Sequence, residues 1–223
     1  MIDVLVLDVN ETLTDMEPLR DGFEAVGLPR HSLEAWFAAT LRDGLALTAA
    51  GAYANFGELA AELLEAQLAA AGIEPTAETV QKVLSGFTRL PLHPDVAPGL
   101  QRIRDAGLRI VSLTNGRAEM SENVFRDGGI LGLLEHRLDV ATPQRWKPHV
   151  DAYRYVAEVC AVPVDRMMLA AVHPWDIDGA RRAGLQTAYI DRRNTPYPES
   201  FLAADLVAPD FEGLAEALQA KAK

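Results

Sequence analysis

Six polar residues of this 223-residue chain have the types and spacing that could do chemistry. Asp8 ends the apolar run Val4-Leu5-Val6-Leu7, and Thr12 follows four residues later. Thr114-Asn115-Gly116 closes a second apolar run, Lys147 precedes Pro148, and Asp176 follows His173-Pro174-Trp175. Carboxylates, a lysine and small hydroxyl or amide groups are the parts of nucleophilic and acid–base catalysis when a fold brings them together. Each also has a plainer reading. Asp8 and Thr12 can cap a turn or helix, Thr114-Asn115-Gly116 can be an ordinary turn, Lys147 a surface lysine, and Asp176 a charge favoured by a helix dipole. What joins them is position, because all stand where apolar runs end.

The elements that must position them read as follows. The run 4–7 shows no polar alternation, as expected of a strand covered on both faces in a parallel sheet. From about 15 to 90 the chain is Ala- and Leu-rich with helical spacing and no strand-like run. Within it a helix is expected over 56–71, with Leu59, Leu63 and Leu64 inward and Glu58, Glu62 and Glu65 outward, ending at Gly72. Trp36, Phe37, Leu41 and Leu45 give a second apolar stripe, and a third helix runs from after Pro75 to about Phe87.

Pro91, Pro94 and Pro98 form a linker, after which helix and strand alternate. Helices are expected over 100–106, 118–127 and 150–160, and strands over 108–113, 138–141, 167–172 and 187–190. A helix follows His173-Pro174 as far as Gly184, and an amphipathic helix over 211–223 closes the chain. Parallel strands joined by right-handed helical crossovers make a doubly wound α/β sheet. Ligands of such sheets bind beyond the carboxyl ends of the strands, which is where Asp8, Thr114, Asn115, Lys147 and Asp176 would converge.

Composition narrows the partners. With 49% hydrophobic residues the chain can bury a substantial core. A net charge of −11 argues against nucleic acid and anionic membrane, which are gripped by surplus Lys and Arg. The opening apolar run is short and followed by acids, unlike a signal peptide, and no run reaches membrane-spanning length. The single cysteine, Cys160, forms no intrachain disulfide and reads as core, so a cytoplasmic address is expected.

The motifs together resemble the haloacid dehalogenase superfamily, and within it the L-2-haloacid dehalogenases. The resemblance rests on Asp8 to Thr12, on Ser112-Leu113-Thr114-Asn115-Gly116, on Lys147-Pro148 with Tyr153, and on Trp175-Asp176 with Gly179-Ala180-Arg181. It implies a Rossmann-like core of residues 1–14 and 91–223, an all-helical cap of residues 15–90, and a possible homodimer.

Most of that superfamily resembles magnesium-dependent phosphatases, in which a second Asp two residues after the nucleophile protonates the leaving alcohol. Asn10 stands there, and an amide supplies no such proton. The run Ala171-Val172-His173-Pro174 also lacks the acids that complete a magnesium shell, leaving Asp8 and Asp176 as a thin set of ligands. A 2-haloacid carries one negative charge and its halide leaves unprotonated, so neither metal nor general acid is demanded and no cofactor is expected. The resemblance thus implies a hydrolase of short 2-haloacids, with a phosphatase of the same fold as the alternative. Asp8 would attack the halogen-bearing carbon and water would cleave the resulting ester. Lys147 would orient Asp8, Asp176 would position Lys147, Thr12 would steady the carboxylate, and Thr114 and Asn115 would bind the substrate carboxylate.

Several positions depart from the family pattern. Trp36 is followed by Phe37 where relatives have a halide-receiving Arg; Arg42 on the same helix, or Arg20, could substitute, the plainer reading of such an Arg being a solvated surface charge. His173 stands where the pattern has Asn, either to orient or deprotonate water or to cap the Asp176 helix. Asn10, where relatives often have Tyr, would shift preference towards smaller or differently halogenated acids; Tyr153 and Trp175 complete the expected substrate-facing set.

Overall fold

A computed structural model describes residues 2–221. Strand β1 (Val4–Leu7) is buried along its whole length and leads into an all-helical stretch. That stretch holds α1 (Leu19–Ala25), α2 (Ser32–Ala49), α3 (Phe56–Ala70), α4 (Ala77–Leu84) and a 3-10 turn, Ser85–Arg89. Then come α5 (Val96–Asp105), β2 (Arg109–Thr114), a 3-10 turn Ala118–Ser121 running into α6 (Glu122–Asp127), and β3 (His136–Asp139). The chain closes with α7 (Val150–Cys160), β4 (Met167–Ala171), α8 (Pro174–Ala183), β5 (Gln186–Ile190), β6 (Leu206–Ala208) and α9 (Phe211–Lys221).

The strands form one parallel sheet in the order β3-β2-β1-β4-β5-β6. This is the doubly wound order, whose direction reverses between β1 and β4 and opens a crevice beyond their carboxyl ends. Val6 lies beside Val111 on one side and Leu169 on the other, so β1 ends opposite Ser112 and Ala170, with β2 running on to Thr114 and β4 to Ala171. Asp8, Thr114 and the start of α8 are thereby fixed around the switch point. Helix α5 packs against α9, and α7 against α8.

The helical stretch leaves and rejoins the sheet through two crossings that bond to each other. Asp15 N–H donates to Pro91 O at 2.9 Å and His93 N–H to Leu13 O at 2.9 Å. The helices start where caps satisfy their first amides: Asn55 accepts from Gly57 N–H, and Thr76 from Thr79 N–H. Their apolar faces meet around Trp36, which makes an edge contact with Phe23 and a tilted one with Phe87 and donates its indole N–H to Ala60 O at 2.8 Å. No described helix is long and apolar enough to cross a membrane.

Some expected boundaries move. Pro98 lies in the first turn of α5, where a missing N–H costs nothing, and so belongs to the helix and not to the linker. The helix expected to Phe87 tightens into the 3-10 turn after Leu84, and that expected over 118–127 begins as one. Strand β3 comes two residues early because Asp139 turns the chain by accepting from Ala118 and Ala141 N–H. On α2 the buried edge is Leu33, Trp36, Phe37, Thr40, Gly44 and Thr48, while Leu41 and Leu45 are half-buried. A Cβ on Gly44 would overlap the Trp146 indole, so close approach selects this face over a bulkier one. Strand β6 has no counterpart among the expected elements: it is three residues long and exposes Val207. The last two positions of the expected closing helix lie outside the described residues.

Candidate active site

The site is built around a fully buried ammonium. Lys147 and Asp176 are 0% exposed and Asp8 5%. Lys147 Nζ donates to Asp8 Oδ1 and to Asp176 Oδ2, each at 2.7 Å. Buried charges persist only when paired and hydrogen-bonded, and two carboxylates on one lysine meet that condition. The backbone of Lys147 is fixed as firmly: its N–H donates to Asn115 Oδ1 at 2.8 Å and its carbonyl accepts from Asn115 Nδ2 at 3.2 Å. The Asn115 side chain thus positions Lys147 through its oxygen and one N–H, a part the sequence does not signal.

Asp176 lies in the first turn of α8 and uses its second oxygen to accept from the Tyr153 hydroxyl at 2.6 Å. Gly179 permits this approach, since a Cβ there would overlap Pro148 and stand 2.8 Å from Tyr153 Oη. Burial and the neighbouring Asp176 charge keep the Tyr153 phenol neutral and donating. Burial together with the Asp8 charge raises the pKa of Asp176 against the pull of Lys147. Burial alone would lower Lys147, but Asp176 and Asp8 outweigh it and raise it.

The other oxygen of Asp8, Oδ2, accepts from the Thr12 hydroxyl at 2.6 Å and faces His173 Nδ1 at 3.0 Å. Thr12 is itself oriented by Val172 N–H, 3.1 Å from its oxygen. Although burial opposes ionisation of Asp8, Lys147 and His173 hold its pKa well below the usual carboxylate range. The far edge of the His173 ring meets Glu11: Nε2 lies 2.9 Å from Oε2. Burial would depress His173, yet Asp8 and Glu11 lift it to about 9, so the ring is an imidazolium at neutral pH. Trp175 stacks on it with ring centroids 5.1 Å apart.

Glu11 is the member that the sequence did not single out. Its backbone is left-handed, with φ 61°, and Arg193 donates to its second carboxylate oxygen at 3.2 Å. A non-glycine residue held there is uncommon, and the strain aims the carboxylate at His173.

Two cavities flank the site. A large one, about 990 Å³, is lined by Glu11, His173, Thr14, Phe37, Arg20 and Arg192 among others. A small one, about 20 Å³, lies among Asn10, Thr14, Thr114, Phe56, Phe87 and Arg117. Thr114 accepts from Gly116 N–H at 3.0 Å, leaving its own proton to donate.

The structure does not bring Arg42 to either cavity. It lies nine residues after the cavity-lining Leu33, about half-way around α2, and forks onto the adjacent Asp43 in solvent. Arg20 borders the large cavity but is taken up by Glu17, Glu34 and the Arg30 carbonyl. Asp8, Thr12, Lys147, Tyr153, His173, Trp175 and Asp176 are gathered in one cluster, with Asn10 and Thr114 on the small cavity beside it.

The switch point of this sheet thus holds a carboxylate paired with a buried lysine and a second Asp, and a family model, that of the haloacid dehalogenase-like hydrolases, matches residues 2–184. The chain belongs to that family. Among its relatives is haloacetate dehalogenase H-2 of Moraxella sp. (strain B), 24% identical over 96% of both chains. The (S)-2-haloacid dehalogenase of Xanthobacter autotrophicus is 26% identical over 94% of this chain and 83% of its own. The solved structure of L-2-haloacid dehalogenase from X. autotrophicus superposes with a TM-score of 0.90 at 23% identity, covering 98% of this chain and 99% of the other. That likeness establishes the shared haloacid dehalogenase fold.

Proposed function

We propose that this hydrolase cleaves the carbon–halogen bond of short 2-haloacids through an ester on Asp8. The observation that carries this reading is the engagement of both buried carboxylates. Asp176 has one oxygen on Lys147 and the other on Tyr153, and Asp8 has Lys147 on one side and Thr12 with His173 on the other. Among the described residues no group of three or more His, Cys, Asp or Glu is arranged to hold a metal ion. With Asn10 in place of a proton-donating acid, the donor set fits a monoanionic substrate with a self-sufficient leaving group better than a phosphate dianion.

In this mechanism Asp8 Oδ1, which has one hydrogen bond against two at Oδ2, attacks the halogen-bearing carbon and the carbon–halogen bond breaks with release of halide. Lys147, Thr12 and Asp176 hold the carboxylate ionised and aligned before attack, and Asn10, Thr114, Tyr153 and Trp175 shape its surroundings. Esterification removes the Asp8 charge, one of the two carboxylates that keep His173 protonated. The ring then releases its Nδ1 proton to the large cavity while Nε2–H stays on Glu11. Water adds to Asp8 Cγ as Nδ1 takes its proton, and the oxyanion forms on Oδ2 beside the Thr12 hydroxyl. The Cγ–O bond to the substrate breaks, His173 returns the proton to the departing alkoxide, and Asp8 passes the second proton of the water to His173 Nδ1 as its carboxylate reforms, which restores the imidazolium. One halide and one proton leave per 2-hydroxyacid. The helices of residues 15–90 serve as the cap over this site.

The test is halide release from chloroacetate and from L- and D-2-chloropropionate with EDTA present, comparing the natural protein with Asp8→Asn. Release that survives EDTA and disappears in the variant is expected. No release, with magnesium-stimulated hydrolysis of an aryl phosphate instead, would overturn the reading.

A further inference from the structure

Thr14 differs from the other buried threonines. It is 2% exposed, yet its hydroxyl has no hydrogen-bond partner among the described residues. Thr12, Thr40, Thr48 and Thr187 all use theirs. A buried hydroxyl left unpaired loses its hydrogen bonds to water without replacement, and such a group calls for an explanation. Its position supplies one, because Thr14 lines both cavities, the large one with Glu11 and His173 and the small one with Asn10 and Thr114.

In the small cavity Thr14 faces Arg117 and Thr114, with Asn10 and the rings of Phe56 and Phe87. The Arg117 guanidinium binds Glu119 through Nε at 3.2 Å, and its two terminal nitrogens make no hydrogen bond among the described residues. The small cavity thus offers a forked guanidinium edge, the Thr14 O–H and the Thr114 O–H whose oxygen already accepts from Gly116, beside the Asn10 amide and the Ser121 hydroxyl. A carboxylate accepts hydrogen bonds and donates none, and a fork of arginine nitrogens fits its two oxygens. The aromatic rings close the opposite wall. About 20 Å³ is room for roughly one water, so a ligand must part this wall, and the shortest acids require the least movement.

We propose that this pocket is the receptor for the substrate carboxylate, with Arg117 at its mouth and the Thr14 hydroxyl at its floor, and that it selects two-carbon haloacids. The proposal rests on the dehalogenase reading for the halogen end of the molecule and adds the group that holds the other end.

The experiment combines steady-state halide release from chloroacetate and 2-chlorobutyrate with calorimetric titration of glycolate, in Thr14→Val, Thr14→Ser and Arg117→Gln. For chloroacetate, KM is expected to rise at least tenfold in Thr14→Val and Arg117→Gln with a much smaller change in kcat, and to recover in Thr14→Ser. Glycolate binding should weaken in parallel, and the natural protein should prefer chloroacetate over 2-chlorobutyrate in kcat/KM. An active natural protein whose KM is unchanged in both Thr14→Val and Arg117→Gln overturns the pocket and leaves the dehalogenase reading standing. If no haloacid is turned over, that reading fails, and glycolate then decides: binding lost in the variants keeps the carboxylate pocket, and binding equal in all of them overturns it. Arg117 is half-exposed, so its variant tests the pocket even if Thr14→Val does not fold.

Discussion

His173 Nε2 lies 2.9 Å from Glu11 Oε2, on the ring edge opposite the one that meets Asp8. An imidazole between two carboxylates is a proton donor while both are charged and becomes a base when one is esterified. In the proposed mechanism the pair therefore acts in the second half of the reaction. His173→Asn is expected to leave the first turnover of halide release nearly intact and to slow ester hydrolysis by 10²–10⁴-fold, the usual contribution of general-base catalysis. Rapid-quench kinetics would show one halide per site followed by a slow phase, with the covalent adduct visible in the intact mass. A variant that loses both phases equally would place His173 in the attack step.

The same contacts set a pH dependence of stability. His173 has a folded pKa of about 9 against about 6.5 for an unperturbed histidine, so its protonated form is favoured by folding. That stabilisation is fully present below pH 6.5 and is lost as pH rises towards 9. At 1.36 kcal/mol per pKa unit it is worth roughly 3 kcal/mol. Denaturant titrations from pH 6 to 10 should show this decline in the natural protein and a flatter profile in His173→Asn.

Lys147→Met leaves Asp8 and Asp176 facing each other in a buried site without their shared cation. Removing one partner of a buried ion pair typically costs about 3–5 kcal/mol, and halide release should disappear. Equal stability of the variant in urea would mean that the carboxylates have another counter-charge.

Gly179→Ala tests how tightly α8 must approach Pro148 and Tyr153. The added methyl overlaps Pro148, so a loss of about 1–3 kcal/mol is expected, with kcat falling because Tyr153 and Asp176 are pushed apart. Thermal melts and halide release read the two effects. A variant as stable and active as the natural protein would show that the helix has room to shift.

The doubly wound sheet was legible because strands buried on both faces lack polar alternation, and Asp8, Thr114 and Asp176 announce themselves where those runs stop. Lys147 was legible from its place before a helix. What the sequence hides depends on side-chain direction within loops. Glu11 differs from its neighbours only by a left-handed backbone that no periodicity signals, and Thr14 matters because its hydroxyl lacks a partner. Asn115 shows its role only once its amide is seen clamped on the Lys147 backbone. Arg42 was misplaced because α2 carries apolar residues nearly all round, so the phase of its buried face is set by the fit of Gly44 to Trp146. Strand β6 is too short to leave a pattern.

The central claim is that Asp8 carries the substrate as an ester and that water attacks Asp8, not the substrate. A single turnover with enzyme in excess over chloroacetate in H₂¹⁸O tests it most directly. The ester route puts ¹⁸O in the peptide containing Asp8 and none in the glycolate. Label in the glycolate with an unlabelled Asp8 peptide would contradict it, placing the attack of water on the substrate carbon itself.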